Sequence, residues 1–221
     1  MQKNKYKYLI FDFDGTIADT ILDIADAVNH SLKENSLPTH TYEEFRTFVG
    51  NGSKVMIQRA CNPITDEKIL KDVFDCYFSF YCLNATNKTV PFDGIVSNLE
   101  YAKKKGVKLF IFSNKPQKLL DLIVEKIFPH NLFEVVVGVR DDGITKPNVS
   151  NFNLLTKNYD IKDENTAYFG DSDVDMITAN NLHINNRYAV SWGYQDISRL
   201  SDSKKILDNP SQIKDVIHNV I

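Results

Sequence analysis

Apolar residues fall into two kinds of run along this chain. Five runs are short and nearly continuous: Tyr8-Phe11, Val107-Phe112, Phe133-Val137, Ala167-Phe169 and Tyr188-Val190. Unbroken stretches of this length suit parallel strands covered on both faces, where no position alternates out to water. Between them, apolar residues recur at three- and four-residue spacing. Ile95, Val96, Leu99 and Ala102 share a helical face that Gly106 closes, and Leu119, Leu120, Ile123 and Ile127 share another that Pro129 stops. Alternating strands and helices predict an α/β fold built on a parallel sheet with right-handed crossovers.

The interval between the first and second strand breaks this rhythm, because most of it has helical spacing. Thr20 opens a helix with Asp23 three residues on, and Ile21, Ile24, Ala25, Val28 and Leu32 follow on one face. Ile69, Val73, Tyr77 and Tyr81 interleave with Leu70, Phe74 and Phe78 as a broad aromatic face, the expected core of a small helical bundle. The polar stretch from Asn84 to Pro91 reads as a connector. The pattern predicts a helical domain over 18–85 inserted in a sheet domain of residues 1–17 and 86–221, with hinges near Ala18-Asp19 and Thr86-Pro91.

Composition narrows the class. At 43% hydrophobic and 25% charged, the 221 residues suit a globular protein with a real core. A net charge of -3 and scattered lysines offer no footprint for nucleic acid. No apolar run approaches the roughly 18 residues of a membrane span, and the apolar stretch before Asp12 is too short for a signal peptide. Three cysteines form no even set, so reduced thiols and a cytoplasmic setting are expected. Five isolated histidines lack zinc spacing.

Reactive residues collect just past the strand ends: Asp12-Phe13-Asp14-Gly15-Thr16, Ser113-Asn114-Lys115-Pro116, Lys146-Pro147, and Gly170-Asp171-Ser172-Asp173-Val174-Asp175. Open parallel sheets bind ligands outside the carboxyl ends of their strands, so these segments are expected to converge. Asp12, Asp14, Asp171 and Asp175 would then repel one another and call for a cation; with phosphate oxygens present, Mg2+ is favoured. Lysine and hydroxyl groups beside such a metal, with no serine triad, point to phosphoryl transfer. Two aspartates at i and i+2 on an extended segment address one phosphate, one attacking and the other moving the proton. Ser113 and Asn114 stand ready to donate to phosphate oxygens.

These four motifs, in this order, resemble the haloacid dehalogenase superfamily, and the helical insertion falls where its type 1 cap falls. The resemblance implies a Rossmann-like core with an inserted cap. It implies Asp12 as nucleophile, Asp14 as general acid/base, and magnesium held by Asp12, the Asp14 carbonyl and Asp171, with Asp175 in support. Thr16, Ser113, Asn114 and Lys146 would bind the phosphoryl group. Asp14 disfavours a dehalogenase, since a halide leaves without a proton. Val49-Gly50-Asn51-Gly52, Ser113-Asn114-Lys115-Pro116 and Ser191-Trp192-Gly193-Tyr194 resemble the phosphoglycolate phosphatase branch, so Gly50, Asn51 and Gly52 are candidate specificity contacts, or simply a turn, and Trp192-Gly193-Tyr194 faces the site or is a packed loop end. Arg59 is expected at a solvated helix position, with pairing to a substrate carboxylate as the alternative. The implied partner is a small phosphorylated metabolite, 2-phosphoglycolate first, acted on by a monomer or homodimer. β-phosphoglucomutase, pyrophosphatases, nucleotidases and sugar phosphatases share the motifs, and a non-catalytic binding module is the reading from another class.

Overall fold

Each continuous apolar run becomes a strand whose alternate residues enter different cores. The computed structural model describes residues 4–200 and 202–218. The chain opens with β1 (Tyr8–Phe11), β2 (Ala18–Asp19) and four helices: α1 (Ile21–Glu34), α2 (Tyr42–Phe48), α3 (Ser53–Ala60) and α4 (Glu67–Asn84). Then come β3 (Val90–Pro91), α5 (Ile95–Lys104), β4 (Lys108–Pro116), α6 (Gln117–Ile127), β5 (Val135–Val139) and α7 (Ser150–Thr156). Last are β6 (Thr166–Gly170), α8 (Asp173–Asn181), β7 (Arg187–Val190), β8 (Lys205–Leu207) and α9 (Gln212–His218).

Six strands pair in parallel in the order β5-β4-β1-β6-β7-β8. Leu9, Phe11, Leu109, Ile111, Ala167 and Phe169 enter one core with residues of α5, α6 and α9. Ile10, Phe110, Phe112 and Tyr168 enter a second core with Phe152 of α7 and Ala179 of α8. Both faces are therefore dry, which is why the runs show no alternation. The edge strand β8 escapes the sequence reading because its three residues are too few for a periodic signal. β5 starts at Val135 rather than Phe133, whose ring instead meets Phe128 edge-on at 5.3 Å. β4 runs on to Pro116 with a register shift after Phe112, so residues 113–115 leave the regular ladder near the sheet's end.

β2 and β3 form a separate antiparallel ribbon, Ala18 opposite Pro91 and Asp19 opposite Val90, and α1 to α4 lie between them in sequence. In α4 only Val73, Tyr77 and Tyr81 are fully buried; Phe74 and Phe78 are half-buried and Ile69 is exposed. The broad aromatic face is thus a narrower stripe at i, i+4 and i+8. Thr20 makes no side-chain cap on α1. Its hydroxyl donates to Asp14 Oδ1 at 2.6 Å, and Asp23 Oδ2 accepts from the amides of Lys88 and Thr89 at 2.9 and 2.8 Å. Tertiary partners have claimed both side chains. All three cysteines are free, Cys61 buried. Among the described residues no helix is long and apolar enough to cross a membrane.

Candidate active site

The strand order reverses around β1, and the carboxyl ends of β4, β1 and β6 meet there at the crevice typical of open parallel sheets. Beyond β1 the chain turns tightly, with Phe13 O accepting from the amides of Ile17 and Ala18, both at 3.1 Å. Gly15 takes a φ of +81° in this turn, and a Cβ on it would lie 2.3 Å from Asp171 Oδ2. Only glycine meets both demands. Asp171 follows β6, and its Oδ2 also accepts from the Tyr194 amide at 2.7 Å. Trp192 Nε1 donates to Thr16 O at 3.0 Å, so the segment after β7 packs on the first turn and clamps Asp171 together.

Asp12, Asp171 and Asp175, all buried, each offer an oxygen within 4.8 Å of the others. At about 4 Å and an effective dielectric near 20, each pair of ionised carboxylates repels by ~4 kcal/mol. Lys146 Nζ answers part of this, at 2.7 Å from Asp12 Oδ1 and 2.6 Å from Asp175 Oδ1. Burial first, then the Asp175 charge, push the Asp12 carboxyl up to about 7 despite Lys146. Burial and the charges of Asp12 and Asp175 raise Asp171 well above the usual range. Burial works against the Lys146 ammonium, yet Asp12 and Asp175 hold its pKa well above the ordinary lysine value. Lys115 Nζ sits 2.9 Å from Asp14 Oδ1. Four carboxylates thus face two ammonium groups, and hard oxygen donors with uncompensated negative charge suit a divalent cation of the magnesium or calcium type. Both Asp175 oxygens are already engaged, Oδ1 by Lys146 and Tyr168 and Oδ2 by Ser172, which leaves Asp12 and Asp171 the freer donors.

Asp12, Asp14, Ser113, Asn114, Asp171, Gly50 and Gly52 line a single cleft of about 40 Å³ between the sheet edge and the α1–α4 helices. That is room for a few water molecules or a small anion. Lys146 and Asp175 stand beside Asp12, buried. Thr16 does not line the cleft, and its buried Oγ1 has no partner among the described residues. Asn51 is also outside it: its Oδ1 accepts from Arg59 Nη2 at 2.7 Å. Arg59 is half-buried rather than fully solvated, and it also donates to Phe48 O at 2.9 Å, which ties down the loop that carries Gly50 and Gly52. Asn114 serves the scaffold, accepting from the Lys146 amide at 2.6 Å and donating to Gly50 O at 3.1 Å. Sequence reasoning passed over Lys115 as a site residue. The i, i+2 argument used for Asp12 and Asp14 applies equally to Ser113 and Lys115 and would have found it. Gln195, which also lines the cleft, carried no sequence signal.

The sequence pattern of one family, haloacid dehalogenase-like hydrolase, matches residues 9–188. A phosphoglycolate phosphatase of Psychrobacter arcticus is 29% identical over 210 residues, covering 90% of this chain and 91% of its own. A phosphoglycolate phosphatase of Colwellia psychrerythraea is 29% identical over 200 residues, covering 88% of each chain. Among solved structures, a predicted phosphoglycolate phosphatase of Haemophilus somnus superposes with a TM-score of 0.87 at 25% identity, covering 96% of this chain and 98% of its own.

Proposed function

The chain belongs to the haloacid dehalogenase-like hydrolase family, and from that premise we propose that it is a magnesium-dependent phosphatase hydrolysing a small phosphomonoester, 2-phosphoglycolate in the first place. The observation that carries this reading is the buried cluster of Asp12, Asp171 and Asp175 against Lys146 at the sheet crevice. The names of the relatives support phosphoglycolate over other esters. In this reading Asp12 attacks phosphorus, its oxygen–phosphorus bond forming as the ester oxygen leaves. Asp14 gives that oxygen a proton, then takes one from the water that cleaves the aspartyl-phosphate and frees inorganic phosphate. Lys146 and Ser113 balance charge on the phosphoryl oxygens. Asp12, the Asp14 carbonyl and Asp171, with Asp175 behind them, would hold magnesium, which when bound neutralises phosphate charge and favours attack by an anion. The helices α1 to α4 act as a cap that excludes bulk water.

The test is magnesium-dependent phosphate release across 2-phosphoglycolate, sugar phosphates, nucleoside monophosphates and pyrophosphate, with Asp12→Asn as control. Phosphoglycolate is expected to give the highest kcat/KM, and Asp12→Asn to lose at least about 1,000-fold while staying folded. Turnover surviving in Asp12→Asn would remove the nucleophile, and a stronger preference for another ester would remove the substrate.

A further inference from the structure

The chemistry above leaves one buried cation without a task. Lys115 follows Ser113 and Asn114 at the end of β4, is only 5% exposed, and is, among the described residues, the single cation lining the cleft. We propose that Lys115 is the specificity-determining residue that receives the carboxylate of the leaving group, an inference that rests on the phosphoglycolate reading. The cap wall of the cleft, Ile24, Val49, Met56 and Tyr77 with Gly50, Gly52 and Ser53, carries no charge. An anionic substrate end therefore has one ammonium to pair with inside the cleft. Lys115 Nζ has three N–H donors but, among the described residues, two acceptors: Asp14 Oδ1 at 2.9 Å and the Tyr81 hydroxyl at 3.2 Å. A buried ammonium with a donor unspent is costly unless a further anion completes it. The chemistry of the ester supplies that anion. In 2-phosphoglycolate the carboxylate carbon is two bonds from the oxygen that Asp14 must protonate, so a cation beside Asp14 is where the carboxylate would arrive. Tyr81 of α4 keeps Nζ in place by hydrogen bond and by its ring, whose centroid is 5.0 Å away.

The experiment compares kcat/KM for 2-phosphoglycolate and for 2-hydroxyethyl phosphate, which carries a neutral hydroxymethyl group in place of the carboxylate. Lys115→Gln also disturbs Asp14, so both substrates suffer and the ratio between them is the readout. The expected result is a fall in that ratio of about 10- to 100-fold, chiefly through KM for phosphoglycolate. Lys115→Arg, which keeps the charge, is expected to retain most of the ratio. Equal losses on both esters would overturn the assignment and leave Lys115 as a support for Asp14. Should Lys115→Gln be folded but inactive on both, glycolate binding by calorimetry decides: unchanged affinity overturns the assignment, and lost affinity supports it. Wild-type enzyme that cleaves neither ester would instead refute the phosphoglycolate reading itself.

Discussion

Asp171 is held by backbone on two sides, and each side is a glycine. A Cβ on Gly193 would come within 2.2 Å of Asp171 Cβ, and one on Gly15 within 2.3 Å of its Oδ2. The first approach positions the Tyr194 amide that donates to Asp171; the second brings the turn after β1 against the same carboxylate. Gly193→Ala should therefore push the 191–195 loop outward. The expected cost is about 1–3 kcal/mol of stability for the overpacking. The magnesium concentration for half-maximal activity should rise about 10-fold or more as Asp171 loses its support. Thermal melts and a magnesium titration check this, and an unaltered variant would mean that the loop yields freely. At this scale the gathering of Asp12, Asp14 and Asp171 at one cleft was legible from their places just past the strand ends. Gly193's role was not, because a close approach across 22 residues leaves no mark in local sequence.

Among the elements, the loop between α2 and α3 is tied down by Arg59 of α3 as well as by Asn114 of β4. Arg59 donates from α3 to Phe48 O and Asn51 Oδ1, closing the loop that sets Gly50 and Gly52 on the cleft. α2 itself is well begun, with Thr41 and Glu44 forming a reciprocal capping box, so the helix should persist without Arg59. Arg59→Ala is expected to raise KM for phosphoglycolate about 10-fold while kcat changes by less than about 3-fold, since only substrate-side contacts loosen. Steady-state kinetics test this; an unchanged KM would detach the loop from substrate binding. Sequence periodicity located α1, α4, α5 and α6, whose apolar faces repeat over several turns. It could not show that Thr20 and Asp23 abandon the cap of α1, because their partners, Asp14 and the amides of Lys88 and Thr89, come from other elements.

Over the whole molecule, the carboxylate cluster makes stability depend on metal and pH together. Asp12, lifted to about 7 by burial and by the Asp175 charge, binds its proton more tightly folded than unfolded. Stability from this group is full below its unfolded pKa and is lost as pH rises through the folded value, so the metal-free protein should weaken between about pH 4 and 7. A divalent cation favours the ionised cluster and reverses that loss. Magnesium at about 100 times its Kd should add ~2.7 kcal/mol, a melting shift of roughly 5–10 °C, and the shift should grow from pH 5.5 to about 8. Melts with magnesium or chelator at both pH values check the sign; a shift larger at the lower pH would be inconsistent with an uncompensated carboxylate cluster. The chain by itself determined the strands of the parallel sheet other than β8, the helical stretch between the first two, and the four motifs at the strand ends, because periodicity and motif spacing are local properties. Tertiary structure alone decided that Lys146 lies between Asp12 and Asp175, that Lys115 sits beside Asp14, that Asn51 turns to Arg59 and that Thr16 stays outside the cleft. Those outcomes depend on which strand ends become neighbours and on which groups can then share a dry, crowded space, and neither is written in any one segment.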